Sequence, residues 1–265
     1  MSAADEQAVQ DGYVDAQARG EFRRMALACL LVSFMNAHST LLAVVFSRAG
    51  HDLHAIGLLL SVYAVPVLTL TLFSGAVAGR LGVRHTIQLA MSLLIVGFVS
   101  LQFTHGDFYP AMASRLVQGM GQGLFLSAVI TYAQSRLSQT RFLYLLGVFS
   151  SMMPLAQAIA PPFGGYMLNT YGDGFFFILG ALPAIVGLSL TFGLRGLISA
   201  PQTSLRAIFS SARAGFYAPL WGAFVNGSVF GFTTAYLAAA MEAKAIPLAA
   251  FFTASTFSMF ASRFL

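Results

Sequence analysis

The chain has 265 residues, of which 57% are hydrophobic and only 9% are charged. Because a soluble domain carries roughly 25% charged residues, this composition indicates an integral membrane protein. Its surroundings, and thus one partner, are the lipid bilayer. The net charge of +5 is spread over loops and forms no basic stripe, so nucleic acid is not an expected partner. The single cysteine, Cys29, excludes a disulfide framework and a thiolate metal site.

Residues 1–22 are polar and acidic, and we expect them to form a disordered or fraying cytoplasmic tail. From Arg23 onward the chain contains successive apolar runs of about 17 to 25 residues, a length that suits tilted membrane helices. The runs lack the alternation of barrel strands, so we predict an all-α membrane protein. Seven complete spans and one partial span are predicted, at residues 25–46, 55–78, 86–104, 108–132, 142–168, 175–194, 216–241 and 248–265.

The longest internal break between spans predicts a division into two bundles. We interpret residues 23–195 as a complete six-helix N-terminal bundle and residues 196–215, which carry Pro201 and several serines and arginines, as a cytoplasmic linker. Residues 216–265 then form the first two helices of an incomplete second bundle. Because the last apolar run stops at Leu265 without a polar flank, we expect the chain to be truncated within its eighth helix.

The distribution of arginine and lysine in the loops predicts a cytoplasmic N-terminus in the cell (inner or plasma) membrane. With that orientation only Arg48 and Lys244 fall on the outer side. The inner side holds Arg19, Arg23, Arg24, Arg80, Arg84, Arg136, Arg141, Arg195, Arg206 and Arg213, with Arg263 near it. Beyond the tail, the acidic residues are predicted to lie in outer loops and none within a span.

The fourth predicted span contains a fixed positive charge, Arg115, inside an apolar run. Exposure of a guanidinium to lipid would cost at least ~2.5 kcal/mol, so Arg115 must face protein or water. At helical spacing Arg115, Gln118 and Gln122 share one face, and Gly119 and Gly123 continue the steps of four from Arg115. We expect this polar, glycine-lined side to face inward. The alternative is that the arginine and the amides only brace neighbouring helices.

Three local motifs stand out, at residues 75–85, 115–121 and 147–165. They resemble motifs of the major facilitator superfamily. The first, at residues 75–85, is similar to the pattern G-x-L-x-D-R-x-G-R-R, with Gly79 in the aspartate position and Val77 and Val83 as further departures. The matching positions are Gly75, Arg80, Gly82 and Arg84. We expect the glycines to permit a tight cytoplasmic turn and the arginines to reach neighbouring helix ends.

The second motif, in the fourth span, matches the family pattern R-x-x-Q-G-x-G in full, at Arg115, Gln118, Gly119 and Gly121. The third, in the fifth span, resembles an antiporter pattern that ends in G-P-x-x-G-G. Its members are Gly147, Ala156, Ala160, Pro161, Gly164 and Gly165. We expect the small residues to allow close helix packing and the prolines to kink the helix by breaking its hydrogen-bond ladder, although ordinary small-residue packing would leave the same pattern.

The resemblance implies a two-bundle transporter with its site near the bilayer midplane, between the bundles. It implies that Arg115 and Gln118 help to couple ion movement, usually of protons, to substrate. The third motif is typical of the branch that exports drug-like solutes in exchange for protons.

Polar residues in the first and seventh spans are candidates for the substrate cavity, because these helices line it in the family. We predict cavity contacts from Asn36, His38, Asn226 and Tyr236, with Gln122 from the fourth span. His38 is also a coupling candidate, since it is the one residue of the full spans that titrates near neutral pH. The alternative is that Asn residues join helices. His51, His54 and His105 have no metal-site spacing, and we expect no metal or cofactor.

The sequence thus predicts a secondary transporter of a small amphipathic solute, working by proton-coupled export, with a monomer favoured. Because no predicted span carries a carboxylate, an uncoupled facilitator remains open, as does a non-transporting sensor or a degenerate fragment. An intramembrane enzyme is disfavoured, since no span carries paired acids or a recognisable Ser-His pair. ATP-driven transport is disfavoured because the sequence lacks a G-x-x-x-x-G-K-[ST] loop.

Overall fold

The computed structural model of the chain describes residues 3–136 and 139–195, together with the isolated helical positions 221, 225, 254 and 258. Within this part the structure consists of helices and contains no strand. The helices are α1 (Ala3–His38), α2 (Leu42–Arg48), α3 (Leu53–Val62), α4 (Ala64–Leu81), α5 (Val83–Ser100), α6 (Phe108–Arg136), α7 (Gln139–Tyr171) and α8 (Asp173–Thr191). They form six spans, because α1 with α2 and α3 with α4 each make one broken span.

The described helices confirm an all-α membrane fold with the first six spans in the predicted places. Five helical stretches of this part are long and apolar enough to cross a membrane, at Gly20–Arg48, Leu53–Leu81, Val83–Thr104, Phe108–Ser135 and Asp173–Thr191. The remaining span, α7, has 33 residues, which at about 1.5 Å per residue is more than a bilayer core requires. The chain is therefore an integral membrane protein. The predicted linker and second bundle lie outside the described residues.

The expectation of a disordered tail is wrong from Ala3 onward, because α1 runs without interruption from Ala3 to His38. The polar segment is rich in alanine, glutamine and glutamate, which are good helix formers. It also continues a helix that the first span has already nucleated, so the costly first turn is avoided.

The first span is broken in its C-terminal half by a short 3-10 turn, Ser39–Leu41, between α1 and α2. Two hydroxyls beside it bond to backbone carbonyls three residues earlier: Ser39 Oγ donates to Asn36 at 2.7 Å, and Thr40 Oγ1 donates to Ala37 at 2.8 Å. Such bonds offer the backbone an alternative to the regular helical ladder. The break falls beside the polar residues that make this span a cavity candidate.

The second span is broken at Tyr63, which separates α3 from α4. Pro66 follows three residues later, and its ring removes the backbone donor that would bond to the carbonyl of Val62. Proline thus accounts for the end of α3 at Val62. In contrast, α7 stays one continuous helix although Pro154, Pro161 and Pro162 lie inside it.

The spans pack in two groups. In the first, α6 packs against α5 and α4, and in the second, α1 packs against α7 and α8, with α5 and α8 joining the groups. Phe98 of α5 and Phe176 of α8 are fully buried at this junction, with ring centroids 6.4 Å apart. The backbones of α1 and α6 make little direct contact. Polar side chains of these two helices therefore meet across a gap between the helices.

At each end of the bundle lie residues that the sequence predicts to be on the same side of the membrane. At one end Arg24 Nη1 donates to the carbonyl oxygen of Gly193 at 2.7 Å, and Arg84 Nη2 donates to that of Phe192 at 2.9 Å. At the other end Arg48 Nη2 donates to Asn169 Oδ1 at 2.7 Å. We call the first of these ends the basic end.

Candidate functional site

The fourth span carries its charge in a buried cluster of Arg115, Gln118 and Tyr63. Arg115 is 5% exposed and Gln118 is fully buried. A guanidinium nitrogen of Arg115 donates to Gln118 Oε1 three residues along the same helix. The guanidinium carbon lies 4.3 Å from the centre of the Tyr63 ring, a cation–π contact across to the break in the second span. Arg115 and Gln118, which the helical spacing places on one face, are in contact, whereas the contact with Tyr63 was not predicted.

Two buried donors of this cluster remain unsatisfied. Arg115 Nε and Gln118 Nε2 have no hydrogen-bond partner within the described part of the chain. No carboxylate there forms an ion pair with Arg115, since the one described ion pair joins Arg195 to Glu21. Buried unpaired donors cost about 1–3 kcal/mol each, and more when the group is charged, so the cluster favours any acceptor or anion that reaches it.

The glycines of the fourth span bring its backbone against two neighbours on opposite sides. A methyl group on Gly119 would lie 2.6 Å from Pro66 Cγ, and one on Gly123 would lie 2.7 Å from the carbonyl oxygen of Val67, both in the second span. On the other side, a methyl group on Gly121 would lie 2.5 Å from the carbonyl oxygen of Ala90 in the third span. Only glycine fits where the helices lie this close together. The glycines therefore fix the position of Arg115 relative to Tyr63.

Asn36 and Gln122, both predicted to line the cavity, are hydrogen-bonded to each other. Asn36 Nδ2 of the first span donates to Gln122 Oε1 of the fourth span at 2.9 Å, and both side chains are half-buried. The pair bridges two helices whose backbones make little direct contact. Asn36 is therefore a partner of Gln122 and not of Arg115.

His38 lies inside the packing of the described helices, and its contact with the substrate cavity stays a prediction. His38 is fully buried. Its ring stacks on Phe176 at 4.2 Å between centroids and meets the edge of Phe98. Nε2 lies 3.0 Å from the carbonyl oxygen of Phe176, and because a carbonyl can only accept, Nε2 carries the proton. Nδ1 is then an acceptor, and it has no partner among the described residues.

The small residues of the fifth span form the predicted groove, and the first span occupies it. Ala156 and Ala160 are buried against Ala37, and a methyl group on Gly164 would lie 2.6 Å from His38 Nδ1. Pro161 of the motif is also buried.

Gly147 and Gly165, the first and last residues of this motif, do not line the groove. Added methyl groups on Gly147 and Gly165 would find nothing within 4 Å. In the described part of the chain these two glycines lie off the face that contacts the first span, and their role in helix packing stays a prediction.

The loop motif between the second and third spans makes its turn at one glycine. Gly82 has φ of 80°, a conformation that favours glycine, whereas Gly75 lies inside α4 and not in the turn. Arg84 reaches the last carbonyls of the sixth span as expected, and Arg80 is exposed. The cation at a helix C-terminus satisfies free carbonyls and complements the helix dipole.

Two residues near these features were missed by sequence reasoning. Tyr63 lies in an apolar run without any spacing that sets it apart. Glu21 was assigned to the tail, yet it lies in the first candidate membrane stretch, is 9% exposed, and accepts a hydrogen bond from Tyr132 Oη at 2.9 Å. Asp173, predicted in an outer loop, is the exposed first residue of α8. Asn226 and Tyr236 lie outside the described residues.

These observations define a polytopic helical membrane protein with a buried arginine–glutamine cluster and close-packed glycine helices. The sequence profile of the Major Facilitator Superfamily matches residues 25–265. The chain belongs to this superfamily.

Relatives and solved structures agree with this assignment. The chain is 24% identical to the methylenomycin A resistance protein of Streptomyces coelicolor over 135 residues, 49% of this chain and 27% of that protein. It is 28% identical to the vesicular acetylcholine transporter of Tetronarce californica over 127 residues, 47% of this chain and 24% of that protein. The fold resembles a D-xylose–proton symporter with a TM-score of 0.59 at 15% identity, covering 82% of this chain and 60% of that one. The matches thus cover less than two thirds of each relative.

Proposed function

We propose that the protein is a secondary transporter that exports a small amphipathic solute in exchange for protons, by alternating access between two bundles. The observation that carries this is the buried Arg115, held by Gln118 and Tyr63 and with an unsatisfied Nε donor. A charge kept at such a cost in a membrane helix is a functional site by default. The name of the methylenomycin A resistance protein, a relative, supports the drug-exporter branch.

We further infer that the basic end faces the cytoplasm of a cell with the protein in its plasma membrane, and that the transporter works as a monomer. The positive-inside rule supports the orientation, because Arg24, Arg84 and Arg195 lie at this end.

An uncoupled facilitator is the second candidate. It is favoured by one observation: none of the described carboxylates pairs with Arg115, although proton exchange in a membrane site usually needs a group that titrates. The two candidates differ in whether a pH gradient drives accumulation of solute against its concentration.

The test uses the whole protein in proteoliposomes with an acidic lumen and ethidium, acetylcholine and methylenomycin A as probes. Export by proton exchange predicts accumulation of at least one probe, with proton efflux, and its loss in Arg115→Ala. The matched control is Arg23→Ala, which removes an exposed arginine. Equilibration without dependence on pH would favour the facilitator, and unchanged coupled flux in Arg115→Ala would remove Arg115 from the mechanism.

A further inference from the structure

A cavity of about 230 Å³ opens at the basic end of the bundle, away from the cluster around Arg115. Its walls are Gly20, Glu21, Arg24, Gly193 and Arg195. It lies between the start of the first span and the residues that follow the sixth. The proposed transport mechanism gives this cavity no role.

The position of the cavity places it at the level of the lipid headgroups. Gly20 is the first residue of the first membrane stretch, and Gly193 lies two residues beyond Thr191, the last residue of the sixth. The first stretch has 29 residues, which at about 1.5 Å per residue exceeds the roughly 30 Å hydrocarbon core and reaches into the headgroup region. A group bound in the cavity therefore lies where lipid phosphates lie.

The charge of the cavity suits a phosphate. Arg24 is held in the wall by its bond to the Gly193 carbonyl, and Arg195 has a side chain that is 59% exposed. Arg195 Nε lies 3.8 Å from Glu21 Oε1, which is too far for a hydrogen bond. Two guanidiniums against one carboxylate leave the lining net positive. Guanidinium donors match phosphate oxygens in a bidentate manner.

An apolar surface leads along the bundle to this cavity. On α8 the exposed side chains Ile178, Leu182 and Ile185 follow one another at helical spacing, and Phe192, 60% exposed, adjoins Gly193 of the cavity wall. A lipid whose headgroup enters the cavity can lay an acyl chain on this surface.

We propose that the cavity binds the phosphate of a membrane phospholipid headgroup through Arg24 and Arg195. The site is distinct from the transport site, so its failure would leave the proposed transport function untouched. Inorganic phosphate shares the same chemistry, and the test separates the two sources.

The experiment is native mass spectrometry of the purified whole chain, titrated with phosphatidylglycerol, with diacylglycerol that lacks the phosphate, and with inorganic phosphate. We expect one phosphatidylglycerol to be retained and diacylglycerol to be lost. Arg195→Gln is expected to weaken phosphatidylglycerol binding roughly fivefold, and Arg24→Gln by a similar factor. Arg195→Lys keeps the positive charge but lacks the planar guanidinium group. Its affinity for phosphatidylglycerol should lie between those of the wild type and Arg195→Gln.

Two matched variants control for charge and for helix capping. Arg23→Gln removes an exposed arginine outside the cavity wall, and Arg84→Gln removes the other arginine that caps the sixth span. Both should bind phosphatidylglycerol as the wild type does. Equal weakening in the Arg23 variant, retention of diacylglycerol, or displacement of the lipid by inorganic phosphate at equal concentration would each overturn the proposal.

Discussion

Arg115 and Tyr63 form a contact between the fourth span and the break in the second, with the guanidinium carbon 4.3 Å from the ring centre. An aromatic face thus balances part of a buried charge for which the described spans supply no carboxylate. Such a contact stabilises a desolvated cation by about 2 kcal/mol, which is less than the cost of burying the charge alone. The charge is held in place but remains available to a stronger partner.

The first prediction concerns the ring of Tyr63. Tyr63→Leu should lower the free energy of unfolding by about 2 kcal/mol and impair coupled flux, because the guanidinium loses its aromatic partner. Tyr63→Phe keeps the ring face and should retain most of both properties. Thermal unfolding in detergent and the proteoliposome assay provide the measurements. Equal loss in the two variants would show that the hydroxyl, and not the ring face, supports Arg115.

The second prediction separates packed glycines from free ones. Gly121→Ala and Gly123→Ala should each destabilise the protein by about 1–3 kcal/mol, because the added methyl group meets backbone of the neighbouring helix. Gly147→Ala is the matched control in a helix with open space, and it should be neutral or stabilising by up to about 1 kcal/mol. Thermal unfolding reads out all three. A stable Gly121 variant would contradict the close approach of the third and fourth spans.

The third prediction is an energetic coupling between Asn36 and Gln122. A double-mutant cycle with Asn36→Ala and Gln122→Ala should give an interaction energy of about 0.6 kcal/mol, and not above about 1.7, as for other hydrogen bonds between membrane helices. The control cycle pairs Asn36→Ala with Gln134→Ala, an exposed glutamine near the end of α6. Zero coupling in the first cycle would mean that the hydrogen bond contributes nothing to stability.

The fourth prediction tests the orientation. Cys29 is buried and should not react with a membrane-impermeant maleimide. Introduced cysteines at two exposed positions, Ala49→Cys and His85→Cys, report opposite ends of the bundle. In intact cells we expect labelling of Ala49→Cys alone, with His85→Cys reacting only after the membrane is opened. The reverse pattern would place the basic end outside.

The spans could be predicted because lipid leaves the backbone few choices. An apolar run of sufficient length must form a helix, so the predicted span at residues 55–78 appears as Leu53–Leu81. The glycine-lined side of the fourth span could be read from the spacing, and its glycines Gly119 and Gly123 both lie against the second span. The low apolar content of the tail predicts disorder. The tail is helical instead, because its alanine-rich sequence has a high helix propensity.

Residue partners could not be predicted, because they depend on how helices are arranged in space. Nothing in the sequence places Tyr63 under Arg115, or separates Gly164, which faces His38, from its neighbour Gly165, which faces open space. His38 is predicted to contact the cavity because it is a polar residue of the first span, yet its aromatic ring packs against Phe176. A residue type indicates which chemistry is possible, and only the neighbouring helix decides whether that chemistry is accessible.

The bond between Arg24 and Gly193 joins residues 169 positions apart. At roughly 5–20 residues per second, the ribosome makes Gly193 on the order of ten to thirty seconds after Arg24. Throughout that interval the first helix stands in the bilayer without the partner that anchors its basic end. Closure of the bundle is therefore a late event in biosynthesis, and a stalled chain that lacks the sixth span would present an uncapped arginine for quality control to detect.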